Sequence, residues 1–311
     1  LQALGLKKAI EHINLPPDDR VIRLWNTGET RSVYNRDPNA SSADHTLIMV
    51  LRAELQRTLY EAVISLKPSA VHFGARTKGC ETVGDRVRLL LEDGSVAEGD
   101  VLVGADGNHS KVRQALFGPA LGKYTGAVAW RGLVPMSKLG AQHRRPIAST
   151  WIGPTAHVTS YPVRRGTTEM VSFSGQADSE QWDTESWSEP GKLSEALLDF
   201  DGWHQDIIDL LVHAETLFKW GLFVREPLSH WTQGRVTLLG DACHSMVPYL
   251  GMGVNITMED AYVLARCLEA VPTNPQEALR RYEDARLTRG NLTAVKSMEM
   301  FKVFHSPDLA K

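Results

Sequence analysis

Apolar residues along the chain follow two different periods. Leu55, Leu59 and Val63 recur at helical spacing, which predicts a helix over Arg52–Leu66. Short apolar runs at 101–103 and 235–239 are typical of buried strands. Longer patterns predict helices from about Asn255 to Ala270 and from Pro275 to Phe304.

Other segments alternate with a period of two residues. Val21–Trp25 and Arg31–Tyr34 flank Thr27-Gly28 and predict a hairpin, followed by a polar loop over 35–45. Residues 125–175 are rich in β-branched and aromatic side chains and predict an antiparallel sheet, whereas 192–215 favours helix. Further short strands are predicted at Ala70–Phe73, Arg86–Leu91 and Val96–Glu98.

This order of segments predicts an α/β fold with a β-rich insert. We expect one discontinuous domain over 1–122 and 220–311 and a second, β-rich domain over 123–219. The length of 311 residues fits two domains at about 150 residues each.

Composition narrows the class of protein. Apolar residues make up 42% and charged residues 23%, with a net charge of −3, which argues against nucleic acid as the main partner. No apolar run reaches the roughly 18 residues that a membrane span needs. Three cysteines without a CxxC pair indicate neither a disulfide framework nor a cysteine zinc site, and favour a reducing, cytoplasmic location.

The first candidate ligand loop is Gly104-Ala105-Asp106-Gly107-Asn108-His109-Ser110-Lys111-Val112-Arg113. It leads from the buried strand at 101–103 into a helix that Ser110 can cap. Glycine allows close approach of a ligand, and the helix N-terminus favours an anion. From these residues alone, an ordinary strand–turn–helix connection is the favoured interpretation.

Two further loops follow the strand at 235–239. Asp241 stands at its carboxyl end, where ligands of open α/β sheets bind, although such an aspartate is often part of a turn. Next, Gly251 and Gly253 precede a capped helix whose free N–H groups would face an electron-rich ligand edge. Ile256 stands where a dinucleotide fingerprint has its third glycine.

Together these loops resemble the group A FAD-dependent aromatic monooxygenases, of the salicylate hydroxylase-like and 6-hydroxynicotinate 3-monooxygenase-like branch. GADGNHSKVR is similar to the second flavin motif of that family, GDACHSMVPYLGMGVNITMEDA to its third, and LRAELQRTL to its pyrophosphate segment. The resemblance covers nearly the whole chain. It implies a Rossmann-like FAD-binding domain, an inserted antiparallel-sheet substrate domain and a long C-terminal helix.

The resemblance also implies roles for individual residues. Asp241 would hold the ribitol of FAD, Arg52 would face the pyrophosphate, and Asp106 would shape the flavin site and the route of the nicotinamide. Thr77 would lie near the adenine. The glycine loop would line the flavin with Pro248, Gly251, Gly253, Val254 and Asn255.

The sequence departs from the family pattern in three places. It has no opening strand–GxGxxG–helix unit and no acidic residue for the adenosine ribose, so that βαβ segment is expected to be missing. Leu51 precedes Arg52 where the family often has His, and Met252 stands between the glycines where it often has Gln.

Candidates for the chemistry lie in the β-rich insert. His157 and Tyr161 share one face of a predicted strand, so they would bracket a ring-sized space if that face meets the flavin. Arg131 could stabilise a phenolate or a carboxylate. Relatives carry Arg and Tyr, or His and Tyr, in matching places. Packing remains an alternative for Tyr161 and a surface position for Arg131. Tyr249 would line the substrate pocket, and no metal site is expected.

The resemblance implies hydroxylation of a phenolic or aromatic acid-like substrate with NADH or NADPH and O2. Reduced FAD would form a C4a-hydroperoxide that delivers hydroxyl to the ring, and a homodimer is compatible with this. One alternative is a remnant of the fold that no longer binds FAD. Epoxidation on the same fold is a second, whereas halogenation is disfavoured because no lysine matches the motif.

Overall fold

The computed structural model describes residues 1–35, 47–140, 145–182 and 189–305, so the polar loop predicted at 35–45 lies outside them except for its first residue. The chain forms two compact units. The large-sheet unit comprises Leu1–Val71, Gly126–Leu222 and Val303–Lys311; the small-sheet unit comprises His72–Thr125 and Phe223–Lys302. In the described part of the chain, no helix is both long and apolar enough to cross a membrane.

The secondary structure is mixed, with eight helices and fourteen strands in the described residues. The helices are α1 (Lys7–Ile13), α2 (Arg52–Leu66), α3 (Lys111–Phe117), α4 (Leu193–Asp199), α5 (Gln205–Val212), α6 (Asp241–His244), α7 (Gly253–Ala270) and α8 (Pro275–Phe304). The strands are β1 (Asp19–Leu24), β2 (Thr30–Asn35), β3 (Thr77–Val83), β4 (Arg86–Leu91), β5 (Val96–Gly99), β6 (Leu102–Gly104), β7 (Lys123–Pro135), β8 (Ile147–Ile152), β9 (Ala156–Arg165), β10 (Thr168–Asp178), β11 (Glu189–Pro190), β12 (Leu217–Val224), β13 (Thr232–Gln233) and β14 (Val236–Leu238).

One face of an eight-stranded mixed sheet carries the core of the large-sheet unit. The strand order is β11-β12-β7-β10-β9-β8-β1-β2. Trp130 and Phe173 on this face are almost fully buried, together with Phe200 beside α4 and with Ile207 and Leu210 of α5. Trp130 also donates from Nε1 to Asp199 at 2.7 Å, which joins the sheet to α4. Apolar burial of this kind stabilises the unit by about 25 cal/mol per Å².

The small-sheet unit contains two three-stranded sheets, β13-β14-β6 and β3-β4-β5. Strands β14 and β6 run parallel, from Val236↔Leu102 to Leu238↔Gly104. Trp231, Leu279 and Tyr282 form its core, and the Tyr282 hydroxyl donates to the carbonyl of Leu238 at 3.1 Å. The predicted α/β fold class, with a β-rich insert and a long C-terminal helix, is confirmed.

The two units divide the chain differently from the predicted domains. Breaks fall at 125/126 and 222/223, near the expected 122/123 and 219/220, but residues 1–71 group with the large sheet. The reason is strand pairing, because β1 runs parallel to β8 in unbroken register from Asp19↔Ile147 to Leu24↔Ile152. The assignment of FAD-binding and substrate roles to 1–122, 220–311 and 123–219 stays a prediction.

Two local predictions need correction, and one helix has the predicted bounds without a buried face. Residues 70–73 form no strand, since they are turn and irregular backbone. Helix α2 has the predicted bounds, but none of its residues is buried, and Leu66 is 88% exposed. The helix predicted from about Asn255 begins at Gly253, with Met252 at its N-cap and no side-chain cap.

Gly290 allows α8 to pack closely in the small-sheet unit. A Cβ there would lie 2.6 Å from Cη2 of Trp231 and 2.7 Å from Cδ2 of His244, both buried rings. We therefore expect Gly290→Ala to lower the free energy of unfolding by about 1–3 kcal/mol, measured by urea denaturation. Gly79→Ala is the control, because a Cβ there meets nothing within 4 Å. Equal stability of the two variants would contradict this packing.

Candidate functional site

Strand register brings three predicted site residues onto one face of the large sheet. Tyr161 of β9 pairs with Ser172 of β10, and His157 pairs with Gln176. Ser174 of β10 lies between, paired with Thr159 on one side and Arg131 of β7 on the other. Register partners share a face, so Arg131 lies two strand spacings, about 10 Å, from Thr159.

The middle of this face carries a polar patch, whereas the opposite face is largely apolar. Gln176 Nε2 donates to Ser174 Oγ at 2.7 Å, while its buried Oε1 has no hydrogen-bond partner among the described residues. The guanidinium of Arg131, an exposed residue, lies 5.2 Å from the ring centroid of Trp220. One patch thus holds a cation, a phenol, an amide and an imidazole. We call it the polar face, and it comprises Arg131, His157, Thr159, Tyr161, Ser172, Ser174 and Gln176.

His157 is the most buried ionisable group of the polar face, with 2% exposure. Burial, together with the neighbouring charge of His305, lowers its pKa from 6.5 to about 3. The imidazole is therefore neutral at physiological pH and can accept a proton only transiently.

Asp106 caps helix α3 in the small-sheet unit. Its carboxylate accepts from the backbone N–H groups of Lys111 at 2.7 Å and Val112 at 3.2 Å, and from the Ser110 hydroxyl. Ser110 in turn accepts from the N–H of Arg113 at 2.8 Å, as predicted for a cap. The anion expected at this helix N-terminus is thus supplied by the chain itself, and the role of Asp106 toward FAD stays a prediction.

Asp241 follows β14 after a sharp backbone turn. Gly240 has φ 64°, and a Cβ there would lie 2.9 Å from Thr257 Oγ1 and Cγ2 of α7, so glycine is required. Asp241 is the first residue of α6 and is half-buried. The turn therefore presents its carboxylate at the carboxyl end of β14, as the sequence predicted.

The glycine loop is Pro248–Asn255, and its backbone is open at both glycines. Pro248 begins one 3-10 turn, and Gly251 follows in the left-handed region with φ 62°. Helix α7 then starts at Gly253 without a side-chain cap, so no side chain of the loop occupies its first N–H groups. Among the described residues, added Cβ atoms at Gly251 and Gly253 would meet nothing closer than 3.9 Å, so the space beside both glycines is open. The contact of Gly253, Val254 and Asn255 with the flavin stays a prediction.

A buried ion cluster lies on the helices that flank this loop. Asp260 of α7 is fully buried and accepts from Nε2 of His244 in α6 and, at 2.8 Å, from Nε of Arg286 in α8. Ligand atoms of Cys243, His244 and Asp260 lie within 4.8 Å of one another. The guanidinium on the same carboxylate opposes a metal ion there. Burial and Asp260 raise the pKa of the Cys243 thiol, which therefore stays protonated.

The remaining predicted residues occupy separate places. Tyr249 is 7% exposed and its ring packs on Phe301, with centroids 5.5 Å apart. Thr77 is the first residue of β3 and pairs with Leu91. Arg52 is exposed and is the first residue of α2. Their roles toward substrate and FAD remain predictions.

Sequence reasoning missed Gln176, Asp178, His305, Asp260 and Arg286. Asp260 follows His244 by 16 residues and precedes Arg286 by 26, and His305 follows His157 by 148. No local spacing links such residues. An acidic residue on the inner face of α7 was the one usable signal, because a fully buried aspartate requires a partner.

Comparison with known proteins gives the family. The family model described as "FAD binding domain" matches residues 1–297. The chain is 42% identical to the 3-amino-4-hydroxybenzoate 2-monooxygenase PtnB3 of Streptomyces platensis, over 99% of this chain and 76% of that protein. It is 32% identical to the 6-hydroxynicotinate 3-monooxygenase of Pseudomonas fluorescens, over 94% of this chain and 75% of that protein.

A solved structure has the same fold. Klebsiella pneumoniae HpxO, crystallised with FAD and uric acid, superposes with a TM-score of 0.85 at 29% identity, over 99% of this chain and 77% of that one. The chain belongs to the family of FAD-binding aromatic monooxygenases, and the resemblance drawn from its motifs is confirmed.

The depressed pKa of His157 makes a prediction about stability. The unfolded chain binds a proton at His157 near pH 6.5, but the folded protein does so only near pH 3, so acidification below 6.5 favours unfolding. Relative to His157→Gln, the wild type should lose roughly 2 kcal/mol of unfolding free energy between pH 6.5 and 5. Urea denaturation at both pH values measures this, with the 70%-exposed His230, as His230→Gln, as control. A pH-independent difference between wild type and His157→Gln would contradict burial of a neutral imidazole.

Proposed function

We propose that this protein hydroxylates a phenolic aromatic acid of the aminohydroxybenzoate type, using FAD, NADH or NADPH, and O2. The register that places Arg131, His157 and Tyr161 on one polar face carries the proposal. The 42% identity to a 3-amino-4-hydroxybenzoate 2-monooxygenase supports this class of substrate.

FAD, once bound and reduced by the nicotinamide, supplies the activated oxygen for hydroxylation. The chain's own contribution to the flavin site is the loop around α7. The N–H groups of Gly253, Val254 and Asn255 would hold the electron-rich pyrimidine edge, and the helix dipole would stabilise negative charge on it. Asp241, at the end of β14, would accept hydrogen bonds from the ribitol hydroxyls, and Arg52 would pair with the pyrophosphate.

The polar face would orient and activate the substrate ring. The guanidinium of Arg131 matches a carboxylate or phenolate geometrically and remains charged. Tyr161 would hydrogen-bond the phenol oxygen, and His157, held neutral by burial, would accept its proton. Loss of that proton makes the ring more nucleophilic toward the electrophilic oxygen. Arg131 thus sets the orientation of the ring, while Tyr161 and His157 set its reactivity.

Flavin content tests the FAD site directly. Asp241→Ala leaves ribitol hydroxyls without an acceptor, which costs about 1–3 kcal/mol, so FAD should bind at least about tenfold more weakly. Flavin absorbance of the purified protein and a fluorescence titration with FAD measure this. Asp85→Ala is the control, because Asp85 lies in the same unit and is 97% exposed. Unchanged FAD affinity in Asp241→Ala would contradict the assignment of Asp241 to the ribitol. A wild-type protein that takes up no FAD would favour a non-catalytic remnant of the fold.

Tyr161→Phe tests the chemistry of the polar face. The variant should bind FAD and oxidise NAD(P)H when 3-amino-4-hydroxybenzoate is present, because the flavin site is intact. Hydroxylated product should fall by roughly 10²–10⁴-fold, the usual effect of removing a positioned acid–base group, and hydrogen peroxide should replace it. Product and peroxide per NAD(P)H are the measurement.

Two controls accompany this variant. Tyr34→Phe alters a tyrosine of the same sheet that is 52% exposed and should leave coupling unchanged. Arg131→Ala should mainly raise KM, since it removes a charge contact formed before the transition state. If Tyr161→Phe retains full coupling and rate, Tyr161 is a packing residue and His157 becomes the candidate that contacts the phenol.

A further inference from the structure

A chain of hydrogen bonds connects His157 to two residues outside every motif of the sequence. Nδ1 of His157 lies 2.9 Å from Nε2 of His305, and Nδ1 of His305 lies 2.6 Å from Oδ1 of Asp178. Asp178 ends β10, and His305 directly follows the last residue of α8. Phe304 stacks on the His157 ring, with centroids 4.8 Å apart and an interplanar angle of 25°. The end of α8 thus fixes both the plane and the hydrogen bond of His157.

Exposure increases along this chain. His157 is 2% exposed and the His305 side chain 4%, whereas the Asp178 side chain is 46% exposed. The three groups therefore form a continuous path from the buried part of the polar face to solvent.

Within the described residues, the two strands paired with β9 place uncharged residues opposite His157. Strand β8 places Ile152 opposite it, and β10 places the amide of Gln176. On its own strand, Tyr161 lies four residues away on the same face. The charge that acts on the pKa of His157 comes from His305.

The carboxylate of Asp178 determines which nitrogen of each imidazole carries a proton. An ionised carboxylate only accepts hydrogen bonds, so Nδ1 of His305 must donate to it. When His305 is neutral, its Nε2 accepts from Nδ1 of His157, which makes Nε2 of His157 the acceptor nitrogen. When His305 is protonated, the bond between the histidines reverses and Nε2 of His157 carries the hydrogen.

We propose that His305 and Asp178 are positioning residues that hold His157 in the proton-accepting tautomer and conduct the substrate's phenol proton to solvent. The inference rests on the proposed hydroxylase function. One proton enters at Nε2 of His157, one passes from Nδ1 of His157 to Nε2 of His305, and one leaves Nδ1 of His305 for Asp178 and water. No electrons are exchanged, and the low basicity of buried His157 favours conduction over storage of the proton.

Nitrogen-15 NMR of the histidine rings tests the positioning without any turnover. At alkaline pH, about two units above the ordinary histidine pKa, both His157 and His305 should carry hydrogen on Nδ1. An Nε2–H tautomer for His157 in the wild type would overturn the proposal. The NMR measurement tests the positioning of His157 even if no substrate is hydroxylated. That result would contradict the proposed function but not the positioning of His157.

Turnover of variants tests the proton path. His305→Phe keeps a ring but removes both nitrogens, so kcat should fall roughly 10²-fold while KM and FAD affinity stay within about twofold. Glu169→Gln is the matched control, because Glu169 is an exposed acid on the same strand as Asp178 and should leave kcat unchanged. Wild-type kcat in His305→Phe would overturn the path.

Asp178→Asn supplies a readout that a structural role would not move. An asparagine amide can donate as well as accept, so it no longer requires a hydrogen on Nδ1 of His305, and nitrogen-15 NMR should show a mixture of Nδ1–H and Nε2–H tautomers at His305. A His305 ring that keeps its hydrogen on Nδ1 as fully as in the wild type would contradict the role of Asp178. Because Asp178 is largely solvent-exposed, this variant keeps the proposal testable even if His305→Phe fails to fold.

Discussion

The fully buried carboxylate of Asp260 makes the interactions on which the region around the glycine loop depends. It accepts from His244 and from Arg286 and so joins α6, α7 and α8 around one desolvated charge. A buried ion group of this kind contributes little net stability, but removal of one partner costs about 3–5 kcal/mol. The main effect of this ion group is to position the start of α7 and the turn that carries Asp241.

The sequence predicts those elements of the fold that depend on local periodicity. Helices α2 and α8 begin and end at the predicted residues, because their apolar spacing and flanking prolines are local signals. The parallel pairing of β1 with β8 was not readable, since it joins segments more than a hundred residues apart. The exposure of α2 could not be inferred from its sequence, because an apolar stripe shows what a helix can bury but not whether a neighbour covers it.

The residues of the candidate site likewise fall into those that the sequence reveals and those that only the fold brings together. Asp241 and the glycine loop were selected because their backbone requirements appear as short patterns, whereas His157 and Tyr161 were selected because relatives carry matching residues. Their roles toward FAD and substrate stay predictions. Asp106 shows the limit of a short pattern, since the residue of the flavin motif is also the cap of α3. His305 and Asp178 gave no local sign. Their proximity to His157 exists only once β10 and the end of α8 are in place.

The buried thiol of Cys243 allows opening of the segment around α6 to be followed by thiol alkylation. It is 2% exposed, donates to the carbonyl of Gly240 and has a raised pKa, so a thiol-alkylating reagent reaches it only when this segment opens. Cys80 and Cys267 are half-buried and would react earlier. The rate of the slow alkylation phase therefore reports how often the segment that carries Asp241 opens. Ligand binding at that segment would lower this rate.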